Sequence, residues 1–297
     1  MSAGLHLELC LFGSSPDIHE RGFVVSVLTG TAGELAERSL AWGYDGFEYM
    51  PNPDRVPDPA EFRRTLQQSG ARLPVVNTGR MIAHGLPLFH SDRDVAARSL
   101  EAFRRILDFA AGVEADVGLG IARGRAREDL DSAAMHQHAE DLFCQLADHA
   151  VRAGTRILLE PAETNVTRFI LDLQEVVNWS QRINSLTSAA SPHRPPRPAH
   201  AGPFGVMIDT HQLMELEPSM EEGMRRANGR ATHLHLFDPE RSPPGTHPRG
   251  IDWTKFFSLL TEQRFRGSAS VTLSKRGDSP AEVAEFVRRH AAGASRQ

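Results

Sequence analysis

The chain has 297 residues, of which 40% are hydrophobic and 24% charged, with a formal net charge of −5. That composition fits a folded globule and excludes intrinsic disorder, and no apolar run approaches the roughly 18 residues that a membrane span needs. The negative balance offers no basic face, so neither nucleic acid nor membrane is expected as a partner.

In chain order, eight short aliphatic runs read as strands. They are 5–11 (LHLELCL), 46–50 (GFEYM), 72–77 (RLPVVN), 116–121 (DVGLGI), 155–160 (TRILLE), 205–209 (GVMID), 232–237 (THLHLF) and 268–273 (SASVTL). Between them, residues 32–42, 95–112, 135–153, 171–183, 253–260 and 281–291 repeat apolar side chains at helical spacing. Ser91 precedes one of these helices, and Ser279-Pro280 opens the last as an N-cap with proline at N1. Strands alternating with helices imply parallel pairing, and eight such units point to a single (β/α)8 TIM barrel. An open doubly wound sheet is the alternative, but VGLGIARG gives only a loose glycine pattern around Gly118, Gly120 and Gly124. Residues 184–204 hold five prolines and are read as a loop insertion before the sixth strand. The whole chain, 1–297, is then one domain, with 292–297 as a flexible tail.

Cys10 and Cys144 cannot build a disulfide framework or a four-cysteine zinc site. With no basic head before a long apolar stretch in MSAGLHLELC, no signal peptide is expected, and a cytoplasmic location is the simplest reading. The 33 basic residues include only two lysines, Lys255 and Lys275.

Barrel chemistry sits at the C-terminal strand ends, so ionisable residues there are the candidates. Glu48 lies in the second run, Glu160 closes the fifth, and Asp209 closes the sixth with His211 just beyond. The seventh carries His233 and His235, followed by Asp238 and Arg241. Glu160 is expected to pair with an arginine or to hold a metal, because a lone buried carboxylate is costly. Asp209 could equally cap the segment that follows. Of the two histidines, one is expected at the barrel centre and the other toward the helices. Glu, Asp and His closing three successive strands suit Mn2+, Mg2+, Co2+ or Zn2+. For Arg241 the alternative is a loop salt bridge with Asp238 or Glu240, and for Glu48 a structural pair with Arg80 or Arg123. His136, His138, His193 and His200 read as solvated surface.

These residues resemble the sugar phosphate isomerase/epimerase superfamily, the xylose isomerase-like barrels that include D-tagatose 3-epimerase and endonuclease IV relatives. The likeness spans nearly the whole chain and rests on GYDGFEY at 43–49, LLEP at 158–161, MIDTH at 207–211, HLHLFDPERSPPG at 233–245 and GIDW at 250–253. It implies a divalent metal held by Glu160, Asp209 and His235, with Glu160 and His211 catalytic and Arg241 and Glu48 binding substrate. Three departures bear on the chemistry. Thr272 stands where the family has a strand-8 glutamate that is both ligand and base, and Val166 stands where a second glutamate often follows the strand-5 one. Glu163 and Asn165 lie close enough to substitute. His211 also follows Asp209 by two residues rather than the usual three.

The resemblance implies isomerisation or epimerisation of a sugar, sugar phosphate or polyol through an enediolate. A dehydratase of the same superfamily and a non-catalytic metabolite-binding barrel stay open, as does homo-oligomerisation.

Overall fold

The computed structural model describes residues 5–18, 28–164, 166–187, 202–273 and 279–294. Eight strands form the barrel: β1 (His6–Ser14), β2 (Gly46–Met50), β3 (Val75–Asn77), β4 (Asp116–Leu119), β5 (Ile157–Leu159), β6 (Phe204–Asp209), β7 (Ala231–Leu236) and β8 (Arg266–Val271). Each pairs in parallel with its neighbour in chain order, and β1 closes the ring on β8. A two-residue strand, Leu28–Thr29, adds to the far end of β1. The fold is a closed (β/α)8 TIM barrel.

The helices are α1 (Ala32–Ala41), α2 (Pro59–Ser69), α3 (Arg93–Gly112), α4 (Ser132–Ala153), α5 (Leu173–Leu186), α6 (Thr210–Leu216), α7 (Met220–Ala227), α8 (Trp253–Glu262) and α9 (Pro280–Ala294). Aspartate caps most of them. Asp58, Asp92, Asp131, Asp172, Asp209 and Asp252 each accept a backbone N–H of the first turn, which satisfies donors that the helix leaves unpaired. The cap of α3 is therefore Asp92 and not Ser91. Three helices have no counterpart in the sequence reading. α2 buries only Phe62 and Leu66, and α6 and α7 are seven and eight residues long, so none carries a long apolar stripe.

Strand alternation sorts the side chains into two layers. Outward residues such as Phe47, Val117, Leu159, Ile208, Leu234 and Val271 pack under the helices in the main core. Trp253, Phe256 and Phe257 are buried there, as expected for α8. The inward layer is apolar only in patches, with Val75, Leu158 and Met207 as one plug and Phe12, Ile18 and Met50 as another. The rest of the barrel interior is polar.

Helix α5 runs three residues into the segment read as insertion. Asn184 then grips the start of β6, donating from Nδ2 to the Phe204 carbonyl at 2.8 Å and accepting the Phe204 N–H at 2.9 Å. Residues 188–201, with His193 and His200, lie outside the described residues, as do Asn165, Lys275 and 295–297. His136 is exposed and stacks on Trp179, and His138 is half-buried.

Candidate metal centre

Glu160 follows β5, Asp209 ends β6 and His235 lies near the end of β7, directly across from Asp209 in the strand register. All three are buried, and one ligand atom from each lies within 4.8 Å of the others. Ligand bonds of about 2.0–2.6 Å place donors at most about 5 Å apart across one ion, so the spacing fits a divalent metal. Two carboxylates and one imidazole suit Mn2+, Mg2+, Co2+ or Zn2+. His235 Nδ1 lies 3.0 Å from Glu160 Oε1 and 4.0 Å from Asp209 Oδ2.

The backbone is shaped to this centre. A Cβ at Gly120, just past β4, would collide with Glu160 Oε2, so glycine there leaves the carboxylate its present position. Arg123, fully buried, donates from Nη1 to the Glu160 carbonyl at 2.6 Å and from Nη2 to the Ile170 carbonyl at 3.3 Å. Burial pulls its pKa down to about 10 against the pull of Glu160 and Glu175. Ile170 has φ 61°, a strained value for a β-branched residue. Glu240 and Arg241 are also left-handed, with φ 59° and 55°. That turn lays Arg241 over Phe237, 5.4 Å from its centroid, and aims it at Asp209 Oδ2, 3.1 Å away, and at Glu163.

Arg241 thus pairs across strand ends and not with Asp238. Asp238 is sealed in the next loop, where it accepts the N–H groups of Gly245, Thr246, His247 and Ile251 and the Trp253 indole. Asp209 does cap α6, through Oδ1 to His211 N and Gln212 N at 2.7 and 3.1 Å, leaving Oδ2 toward His235 and Arg241. His211 Nε2 lies 3.3 Å from Glu163 Oε1, and its Nδ1 is buried with no partner among the described residues.

Glu48 does not meet either arginine proposed for it. Arg80 binds Ser15 and Asp17, and Arg123 binds the carbonyls named above. Instead both Glu48 oxygens face His235 Nε2, at 3.1 and 3.0 Å, and Oε2 faces His233 Nε2 at 3.0 Å. Both histidines therefore point inward. Residues two apart on a strand share a face, so the expectation that they would divide is wrong, and the HLH spacing already contained the signal for His233. Burial alone would raise the Glu48 carboxyl, but His235 and His233 hold it well below the usual carboxylate range. Burial alone would lower the His235 imidazole, but Glu48 and Glu160 hold it well above the usual range. Burial lowers His233 despite Glu48. His235 thus lies between two carboxylates, with His233 on the far side of Glu48.

The inward face of β8 is Ser268 and Ser270, followed by buried Thr272. No described residue of that strand supplies a carboxylate there. Asn77, which sequence reasoning also missed, donates to Glu48 Oε1 at 2.8 Å. Its signal was parity with inward Val75.

The chain belongs to a family: residues 36–290 match the one described as xylose isomerase-like TIM barrel. No curated protein matches it in sequence. Among solved structures it is similar to 3-keto-D-glucoside 4-epimerase from E. coli, with 14% identity and a TM-score of 0.69, covering 96% of this chain and 98% of that one. An L-ribulose 3-epimerase gives 16% identity and 0.71, covering 97% and 96%. An AP endonuclease of family 2 from Brucella melitensis gives 18% and 0.66, covering 94% and 98%. At these identities the likeness speaks for the fold alone. Among the described residues, no helix is long and apolar enough to cross a membrane.

Proposed function

We propose that the protein is a metal-dependent isomerase or epimerase of a sugar, sugar phosphate or related polyol. The observation that carries this reading is the convergence of Glu160, Asp209 and His235 at the C-terminal end of the barrel. Glu160, Asp209 and His235 would hold the ion, which when bound polarises vicinal substrate oxygens and stabilises an enediolate. The similar structures include sugar epimerases, which fits the same reading.

The chain's own residues supply the rest. Glu160 removes the proton α to the carbonyl, with Arg123 fixing its backbone. His211, paired with Glu163, carries the second proton transfer. Arg241, partly exposed and set on Asp209 and Glu163, binds a substrate hydroxyl or phosphate. This reading treats the chain as one barrel domain in the cytoplasm, acting on a small molecule and not on nucleic acid.

The neutral β8 face favours a second reading. Dehydration needs one base for the α proton, Glu160, and one acid, His211, that protonates the departing β-hydroxyl so that it leaves as water. A site without the strand-8 carboxylate therefore suits a lyase. Purified protein, assayed for bound metal and for solvent deuterium uptake into ketoses and aldoses, tests both. Uptake without a mass change supports the isomerase, and loss of water supports the lyase. Metal binding without either outcome leaves a metabolite-binding barrel, and no metal with no exchange overturns the proposal.

A further inference from the structure

His235 divides the polar interior into two halves. Its Nδ1 faces Glu160 and Asp209, whose neighbours Glu163 and Arg241 reach solvent. Its Nε2 faces Glu48, which together with His233 is wholly buried. Glu48 is already met by three N–H donors and is wholly shielded from solvent. Oε1 is met by Asn77 and His235, and Oε2 by His233 and His235. A carboxylate has about four acceptor sites.

The support continues outward. A carboxylate only accepts, so His233 presents its Nε2–H to Glu48, and its Nδ1 lies 2.7 Å from the Ser268 hydroxyl. Ser270 Oγ lies 3.2 Å from Nε2 of the same ring. The β8 face that lacks a carboxylate is thus occupied in holding His233. Metal-ligating histidines usually give their second N–H to a carboxylate, which fixes tautomer and ring orientation.

We propose that Glu48 is a positioning residue: braced by His233 and Asn77, it holds the Nε2–H of His235 so that Nδ1 is presented to the metal. This rests on the metal reading above. Glu48, His233 and His235 also have ligand-like spacing among themselves. Two observations speak against a second ion there. Asn77 directs an N–H donor at Glu48, and His233 Nδ1 is engaged by Ser268.

The test is titration of the metal-free full chain with Zn2+ and Co2+, comparing wild type with Glu48→Gln and His233→Gln. Wild type is expected to bind one ion. Each variant should bind one ion roughly 10–100-fold more weakly, with altered Co2+ absorption and an unchanged fold by circular dichroism. Imidazole 15N NMR of the zinc-loaded wild type should show His235 protonated at Nε2 and ligated at Nδ1, which decides the matter even where a variant does not fold. Unchanged affinity in Glu48→Gln, Nε2 ligation, or a second ion lost in His233→Gln overturns the positioning role. A wild type that binds no ion overturns the metal reading and this role with it.

Discussion

At the N-terminal end of the barrel, Glu8, Arg63, Arg72 and Glu114 line a cavity of about 450 Å3. They pair as Arg72–Glu8 at 3.3 Å and Arg63–Glu114 at 2.5 Å, with much of each arginine in water. At the opposite end Glu48, Glu160, Asp209, His233 and His235 are all buried. Both ends are charged, and the first has ample space. They differ in what ionisation costs. Exposed pairs gain little and are screened by salt, whereas buried carboxylates persist only with partners or an ion. Buried charge, not open volume, singles out the end where the metal site is proposed.

Removing groups from each end sharpens that contrast. The largest effect is expected for Glu160→Gln, which keeps the side-chain shape but removes a charged ligand. Calorimetric metal titration should show a loss beyond the roughly 100-fold upper range for an outer-sphere partner. Asp238→Ala follows, because it orphans four backbone N–H groups and a buried indole. Urea unfolding should show at least about 3 kcal/mol of lost stability. Gly120→Ala forces Glu160 aside, and strain of about 1–3 kcal/mol corresponds to roughly 10–100-fold in metal affinity.

A smaller effect belongs to Asp17, at the same rim. Burial alone would raise its carboxyl, but hydrogen bonds from Ser15, Asn52 and Arg80, with the Arg80 charge, hold it well below the usual range. An unfolded aspartate titrates near about 3.9. The stability Asp17 contributes is therefore present above about pH 4 and is lost as pH falls toward its folded value. Asp17→Asn should flatten the acid limb of a stability–pH curve by on the order of 1–2 kcal/mol. Least of all, Arg72→Ala at the other end should change stability by under about 0.5 kcal/mol. A large loss there, or none on altering Glu160, would break the distinction between the two ends.

The barrel was legible because strands buried on both faces read as continuous apolar runs. All eight were found, with ends differing by up to three residues where flanking polar or proline residues blur the limit, as at 72–77 against Val75–Asn77. The outer triad was legible because its residues close strands. The inner layer was not. Asn77 and the serines of β8 carry no chemistry that stands out in isolation, and Glu48 and His233 meet across 185 positions of chain. Arg123 reads like any other arginine until its carbonyl partners are seen. Helix α2 was missed because two apolar residues cannot define a stripe.

The Asn184–Phe204 clamp fixes the exit of α5 and the entry of β6 at one point. These two elements are therefore joined side by side as well as in sequence, so their relative placement does not depend on the backbone between them.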